Sequence, residues 1–494
     1  MQILIIGAGP TGLVLACELA RRKVPVRIID RAPEYPIGSR AKGLTPRSLE
    51  VMADLGVAEE LVAAGSRDVI FRRYNRNEWL GDSRAPVFAR PDARYVSGVL
   101  VPQWKVEEVL RRKLLSWGVE VERGTELIDF SQGEDRVVAR LVTPAGEEAV
   151  NCAYLVGCDG GKSKVRKTLG IRFEGETHEE ERAFIGDVEV AGLAPDAWYI
   201  WMHPTLGFGI GLCPFACSKS WQLQTMAQAD ADGQFSEPGL AMFRLLFAER
   251  AGLEGVTLEK VTWATVYRVN VRMANRFRSG RVFIAGDAAH VHSIAGGLGM
   301  NTGIQDAYNL GWKLAHVLSG EAAAPLLDTY EEERLPIAAW TLNISSERHR
   351  MVADAIKKGG DGGLHTVATK DTTQLNLNYR YSGLSSQLRD DPTGVQAGDR
   401  APDGLLPDGS WLSDVYRGTH FSVIRLPAGG SAKGFGGDRV REFLLPDGLV
   451  PLFGRVGGIY VVRPDGYIGL VADAGDEAAV DGYLRLYLSH EITG

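Results

Sequence analysis

The 494 residues are 45% hydrophobic and 24% charged, with a formal net charge of −7. That balance suits a globular chain of about two to four domains and gives no basic face for nucleic acid. The cysteines Cys17, Cys152, Cys158, Cys213 and Cys217 are odd in number and scattered, which argues against a secreted disulfide framework and reads as free thiols in a reducing cytosol. Met1-Gln2-Ile3-Leu4-Ile5-Ile6 lacks the basic, apolar and small-residue zones of a signal peptide. With no apolar stretch of about 18 residues either, no membrane span is expected and the expected compartment is the cytoplasm.

Ile3 to Ile6 is a short apolar run that meets a Gly-rich turn. A helical pattern covers Thr11 to Arg22, and a second apolar run covers Val24 to Ile29. Strand, helix, strand is a parallel βαβ unit. Between about residues 176 and 275 the texture changes to alternating, aromatic-rich runs such as Trp198 to Met202 and Trp221 to Gln224, the mark of a mostly antiparallel sheet. The first pattern resumes near Phe277, with a strand at Arg281 to Ala285 and a helix at Gly303 to Leu318. Residues 358–394 are rich in Gly, Asp, Thr and Asn and read as a linker region. From Gly398 a further module begins, with strands at Phe421 to Ile424 and Gly458 to Val462 and a helix around Tyr483 to Leu488.

Three motifs carry chemistry. Gly7-Ala8-Gly9-Pro10-Thr11-Gly12 follows a strand and opens a helix. In that context Gly7 permits the tight turn, Gly9 admits a pyrophosphate to the backbone and Gly12 lets helix and strand close up. Asp30, 18 residues after Gly12 at the end of the second strand, is placed to accept hydrogen bonds from a ribose. Together they predict dinucleotide binding. The second motif is Cys158-Asp159-Gly160-Gly161-Lys162-Ser163, after the apolar run Tyr154 to Val156; alone it is equally a Gly turn with Ser163 as a helix cap. The third is Gly286-Asp287-Ala288-Ala289-His290 followed by Gly296-Gly297-Leu298-Gly299-Met300-Asn301. There Asp287 can meet a polyol chain, and the helix that follows aims its positive end at a flat ligand.

In this order and spacing the three motifs resemble the aromatic-ring hydroxylase family of single-component FAD monooxygenases, over nearly the whole chain. Leu327 to Pro336 also looks like the family's helix after the flavin site. In length the chain is most similar to the aromatic polyketide hydroxylases and rifampicin-type monooxygenases. Gly398 to Pro402 and Arg463 to Gly466 look like parts of their thioredoxin-like C-terminal module. The resemblance implies an α/β architecture: a Rossmann-like FAD-binding domain (1–175 and 276–370) interrupted by a mostly antiparallel substrate domain (176–275), then a linker (371–397) and a thioredoxin-like domain (398–494).

Carried over by position, Gly7, Gly9, Thr11 and Gly12 hold the pyrophosphate. Asp30 and Arg31 meet the adenosine half, Leu127 touches the adenine, and Arg40 and Gln103 reach the centre of FAD. Asp159, Gly286 and Asp287 belong to the cofactor site, Asp287 on the ribityl chain, and Gly299, Met300 and Asn301 face the isoalloxazine. Relatives carry Pro-Pro where this chain has Ser293 and Ile294, so no substrate contact is transferred through that loop. His290 and His292 are too few for a metal site, which needs three or four ligands. Trp201, Met202, Phe208, Gln222, Gln224 and Tyr267 are candidate pocket residues, although an aromatic strand face is also ordinary core.

The expected reaction is hydroxylation of an aromatic, polycyclic phenolic substrate with NAD(P)H and O2 through a flavin C4a-hydroperoxide. It needs no nucleophilic side chain, and none is named as catalytic. Two rival readings stand beside it: Baeyer–Villiger oxidation of a ketone, and a non-catalytic FAD-fold protein, against which the intact Asp30, Asp159 and Asp287 speak. NADH against NADPH is left open, as is a homodimer.

Overall fold

In a computed structural model the chain is described over residues 2–488, except 36, 204–206, 230–231, 236, 294–296, 358–368, 391–393, 428–434 and 436. Ile294 and Gly296 of the third motif lie outside these residues, as does part of the linker region.

Four sheets organise the described residues. The first has six strands in the order Arg278–Ser279, Val282–Ile284, Tyr154–Gly157, Ile3–Ile6, Val26–Asp30 and Val121–Arg123, parallel except at the first edge. Its central strand Ile3–Ile6 is buried on both faces, which is why it reads as unbroken aliphatic sequence rather than as an alternation. The helices Pro10–Arg21 and Gly299–Leu318 pack on this sheet.

The second sheet has eight strands: His290–Val291, Thr257–Ala274, Phe173–Ala191, Ser220–Met226, Gly207–Pro214, Trp198–His203, Ile70–Asn75 and Glu78–Arg84. All neighbours are antiparallel except Trp198–His203 with Ile70–Asn75. Two of its strands therefore come from residues 70–84, which the sequence reading assigned to the nucleotide-binding half. A three-stranded sheet, Glu126–Gln132, Val137–Thr143 and Gly146–Cys152, forms a side layer. The C-terminal sheet has the order Ser386–Gln387, Ile468–Asp473, Gly458–Val462, Phe421–Arg425 and Val440–Leu444. Its edge strand Ser386–Gln387 falls within the expected linker, and Tyr379 and Gln374 of that stretch are buried. The segment is packed structure, because it fills the seam between the C-terminal sheet and the long helices.

That seam is closed by a buried charge network. Glu333, on the helix Asp328–Lys357, accepts from Arg463 Nη1 at 2.6 Å, from Lys313 Nζ at 2.7 Å and from Ser382 Oγ at 2.8 Å. Arg463 also pairs with Asp465 at 2.5 Å, and Trp312 Nε1 donates to Asp465 at 3.1 Å. Two cations and two anions thus cancel where water does not reach. Burial alone pushes the Glu333 carboxyl up, but Arg463 and Lys313 hold it below its ordinary 4.5. Its contribution to stability is therefore present above pH 4.5 and is lost as pH falls below it. Glu333→Gln would leave a net positive charge unpaired in the interior, at a cost of roughly 3–5 kcal/mol. Urea unfolding should show that loss; a variant within 1 kcal/mol of the parent, as a rough limit, would mean the network is not holding the seam.

Candidate active site

The site is assembled from three loops at the ends of the parallel strands. Ile3–Ile6 runs into Gly7, whose φ of 101° is open to glycine alone at low strain. A Cβ on Gly7 would lie 2.4 Å from the Cys158 carbonyl oxygen, and one on Gly12 would lie 2.0 Å from that of Gly7. A Cβ on Gly9 would meet nothing within 4 Å, so this glycine lines open space. The helix Pro10–Arg21 starts there with no side-chain cap, leaving its first N–H groups for an anion. Thr11 plays a second part: its side chain lies against Gly286 and Gly303, so close that a Cβ on either would fall 2.4 Å from Thr11 Oγ1.

Asp30 ends its strand with the carboxylate held by Ala8 N–H and Ala32 N–H, both at 2.9 Å, and by Arg123 at 3.3 Å. Arg31 is exposed beside it. Leu127, 3% exposed, packs in the main core two residues after Thr125, whose N–H donates to the Asp30 carbonyl. Gln103 opens the helix Gln103–Ser116 and clasps the Arg40 loop: its N–H donates to Ala41 O at 3.0 Å and its Oε1 accepts from Ala41 N–H at 3.2 Å. Asp159 is engaged with its own turn. One oxygen accepts from Ser163 Oγ at 2.5 Å and the other from the N–H groups of Lys164 and Val165, while Ser163 caps Arg166 N–H at 3.0 Å. What Asp159 does for the site is brace the Cys158–Gly161 turn on which Gly7 rests.

Gly286, with φ 60°, turns the chain after Val282–Ile284 and leaves Asp287 exposed. His290 and Arg40 are the cationic groups in electrostatic reach of its carboxylate. Tyr267 lies in the same field, and its hydroxyl donates to the His292 carbonyl at 2.9 Å. The loop rests on Asp306, which accepts from Gly286 N–H at 3.1 Å, His290 Nε2 at 2.6 Å and Arg334 Nε at 2.7 Å. Burial works against the Asp306 carboxylate, yet His290 and Arg334 bring it down to about 2. It is therefore an anion at every working pH, and it takes the hydrogen of His290 Nε2. His290 Nδ1 in turn meets His292 Nε2 at 2.9 Å. Sequence reasoning gave Asp306 no role, and its partners lie 16 to 28 residues away, beyond any local motif.

Gly299 begins a 20-residue helix whose N-terminus has no side-chain cap. Gly299 and Met300 sit in that first turn. The Asn301 side chain is used within the protein: Oδ1 accepts from Thr45 N–H at 2.9 Å, and Nδ2 donates to Gly43 O at 3.1 Å and Gly297 O at 2.9 Å. It ties the helix start to the Arg40 loop. Ser293 is buried.

Alternation along the eight-stranded sheet separates two faces. Trp201, expected in the pocket, is instead core. It is fully buried between Tyr74, Tyr199 and Phe247 on the face covered by the helix Leu240–Arg250, because its strand position points it away from the cleft. Gln222, Gln224 and Tyr267 occupy the opposite face. Gln222 Nε2 donates to Ser39 O, and its Oε1 accepts from Gln224 Nε2 at 2.9 Å. Phe208, half-buried, folds over Gly211 beside the Trp198 indole, and Met202 is half-buried.

Two charged groups on this face escaped sequence reasoning. The Lys42 ammonium is buried 3.7 Å above the Trp198 ring without a hydrogen-bond acceptor. The Asp187 carboxylate is buried in its neighbourhood, with Ser39 and Lys42 acting against the effect of burial. Burial brings Lys42 down to about 8 and takes Asp187 up to about 6. No local signal marks either residue, since the loop meets the sheet only in three dimensions.

Residues 1–345 match the family described as FAD binding domain. The chain is 41% identical over 486 residues to a flavin-dependent monooxygenase of Mycobacteroides abscessus, covering 96% of this chain and 98% of that one. It is 41% identical over 411 residues to the 6-methylpretetramide 4-monooxygenase of Streptomyces rimosus, covering 81% and 72%. In structure it matches the anhydrotetracycline hydroxylase of Streptomyces rimosus with a TM-score of 0.73, 29% identity and 99% of each chain covered.

The buried ammonium yields a stability prediction. The folded-state value of about 8 lies below the ordinary 10.5, so the unfolded chain holds that proton more tightly. The resulting cost is present below pH 8 and fades between pH 8 and 10.5. Replacing both members, Lys42→Met with Asp187→Leu, should stabilise the protein by about 1–3 kcal/mol at pH 7 and by clearly less at pH 9.5. Urea midpoints at the two pH values check this; a variant destabilised equally at both contradicts it.

Proposed function

The chain belongs to the FAD-binding family of flavin-dependent monooxygenases, and within it we propose a hydroxylase of polycyclic phenolic, polyketide- or antibiotic-like substrates. The observation that supports this most is convergence. Thr11 of the Gly7–Gly12 turn packs on Gly286 and Gly303, Asn301 at the uncapped start of the helix Gly299–Leu318 holds the loop Gly43–Thr45, and Arg40 and Tyr267 lie in electrostatic reach of Asp287. The donor set fits FAD: free helix N–H groups and an open glycine for a diphosphate, carboxylates for ribose and ribityl hydroxyls, a positive helix end for an electron-rich ring. No helix among the described residues is long and apolar enough to cross a membrane.

In this reading Gly7, Gly9, Thr11 and Gly12 surround the diphosphate. Asp30, Arg31 and Leu127 serve the adenosine half, with Arg40 and Gln103 at the centre of the cofactor. Gly286 and Asp287 serve the ribityl chain, and Gly299, Met300 and Asn301 the ring end, Asn301 by fixing the loop Gly43–Thr45. Asp159 acts from behind the turn. Bound FAD takes two electrons from NAD(P)H and activates O2 for transfer of one oxygen atom. The overall balance is ArH + O2 + NAD(P)H + H⁺ → ArOH + NAD(P)⁺ + H2O. The protein orients the phenolic ring against Tyr267 and Gln224, excludes water, and keeps Asp287 and Arg40 in place.

Domains follow the same division. Residues 1–175 and 276–370 bind FAD, 176–275 bind substrate with help from the strands at 70–84, and the mixed C-terminal sheet forms a thioredoxin-like module. That module has no redox role of its own, because all five cysteines lie at or before Cys217.

Two measurements test the reading. The protein should purify yellow, and Asp287→Ala should weaken FAD binding about 10–150-fold, the loss of a charge-assisted hydrogen bond; an unchanged affinity removes Asp287 from the site. With a panel of polycyclic phenols, 18O2 should label the product with one atom. Label from water alone ends the monooxygenase reading, and a labelled lactone transfers it to Baeyer–Villiger chemistry.

A further inference from the structure

We propose that Glu107 is a positioning residue for the cofactor: it fixes the Gln103 amide toward the FAD diphosphate and couples FAD binding to uptake of a proton. The proposal rests on the reading in which Gln103 faces the centre of FAD.

Gln103 and Glu107 are four residues apart on one helix, so their side chains lie on the same face. Gln103 Nε2 donates to Glu107 Oε1 at 2.8 Å, and Gln103 Oε1 accepts from Ala41 N–H at 3.2 Å. Both neighbours dictate the same amide orientation. Reversed, the amide would set oxygen against oxygen at an ionised Glu107 and, in either protonation state, N–H against N–H at Ala41. One Nε2 hydrogen is then left over, and a locked donor is what an anionic diphosphate requires. Remove the acceptor at 107 and one of the two locks is gone.

Glu107 is 2% exposed, and the charged groups facing it do little to neutralise it. Arg111 Nη1 stands 3.7 Å away, and the Arg111 guanidinium carbon lies 3.9 Å over the Tyr35 ring. Arg123 is paired with Asp30 at 3.3 Å and donates to Glu34 O. Asp30 adds a like charge. Burial first, and Asp30 after it, push the Glu107 carboxyl up to about 7 against Gln103 and Arg111. A diphosphate brought beside Gln103 adds further negative charge and raises the proton affinity again. A group whose proton affinity rises on binding makes the complex tightest where it is already protonated. FAD affinity is therefore flat below pH 7 and weakens as pH rises above it. The acceptor does the positioning, and a protonated carboxyl still accepts through its carbonyl oxygen. The charge is the part that FAD binding removes.

The test is FAD binding to the full-length apoprotein, read by quenching of flavin fluorescence between pH 6 and 8.5. The parent should lose affinity at least about threefold between pH 7 and 8.5. Glu107→Gln keeps an acceptor without a charge, so it should bind at least as tightly as the parent and show no such loss. Glu107→Leu removes the acceptor and should bind about tenfold more weakly at all pH values. Far-ultraviolet circular dichroism confirms folding, and the isosteric glutamine variant carries the test if the leucine variant fails it. A parent that binds no FAD at any pH overturns the reading of the site. A parent that binds FAD while Glu107→Gln retains the pH loss, or while folded Glu107→Leu binds like the parent, overturns this inference alone.

Discussion

The Asp306 carboxylate is the interaction on which the cleft depends. It is wholly buried and reaches three separate stretches of chain: the Gly286 turn, His290 and Arg334. An anion in the interior is costly unless every oxygen is answered. Here both oxygens are met, one by a guanidinium and the other by a backbone N–H and an imidazole. That forces the strand end at Ile284, the turn bearing Asp287 and the helix Asp328–Lys357 into one register. Arg334 extends the tie to Tyr379, through Nη1 at 2.8 Å, so the geometry of the Asp287 turn is coupled to the packing of the C-terminal seam.

The helix Gly299–Leu318 carries this coupling along its length. Its start opens on the cleft, with Asn301 gripping the loop Gly43–Thr45. Two turns on, Asp306 holds the Asp287 turn. Further down, Asn309 and Lys313 enter the Glu333–Arg463–Asp465 network. A helix buried on nearly all sides would ordinarily be apolar all round. This one carries polar groups at intervals, each answered by a partner from another part of the chain, and so it is held in one position. The cleft inherits that rigidity, which suits a site that must place substrate against a cofactor within narrow limits.

The loop at residues 38–43 is built differently. It packs glycine on indole, since a Cβ on Gly38 would fall 2.2 Å from the Trp263 ring. It also shelters the Lys42 ammonium, which has no hydrogen-bond acceptor, near the buried Asp187 carboxylate. A helix with many paired polar groups therefore stands beside a loop whose buried Lys42 and Asp187 balance each other mainly through charge. Strain of this kind concentrates where function constrains sequence more than stability does, and Arg40 lies in this loop.

Sequence alone determined the strand–turn–helix at residues 3–21, the Asp30 terminus, the Gly286–Asp287 turn and the strand Gly458–Val462. In each, the demand is local: a positive φ, a close backbone approach or a doubly buried strand can be met by few residue types at fixed spacing. The motif order resembling flavin monooxygenases was legible for the same reason. Tertiary structure decided the rest. A period of two shows that Trp198 to Met202 has two faces, but the helix Leu240–Arg250 decides that Trp201 belongs to the core. Residues 70–84 join the eight-stranded sheet, and Ser386–Gln387 the C-terminal one, through backbone pairing that no side-chain pattern specifies. Asp159 reads as a cofactor ligand or a cap, and only the fold shows its oxygens on Ser163, Lys164 and Val165. Lys42 with Asp187, and Asp306 with Arg334, are partners far apart in sequence. Nothing local records such a pairing, because a buried charge is satisfied by whichever element the fold brings against it.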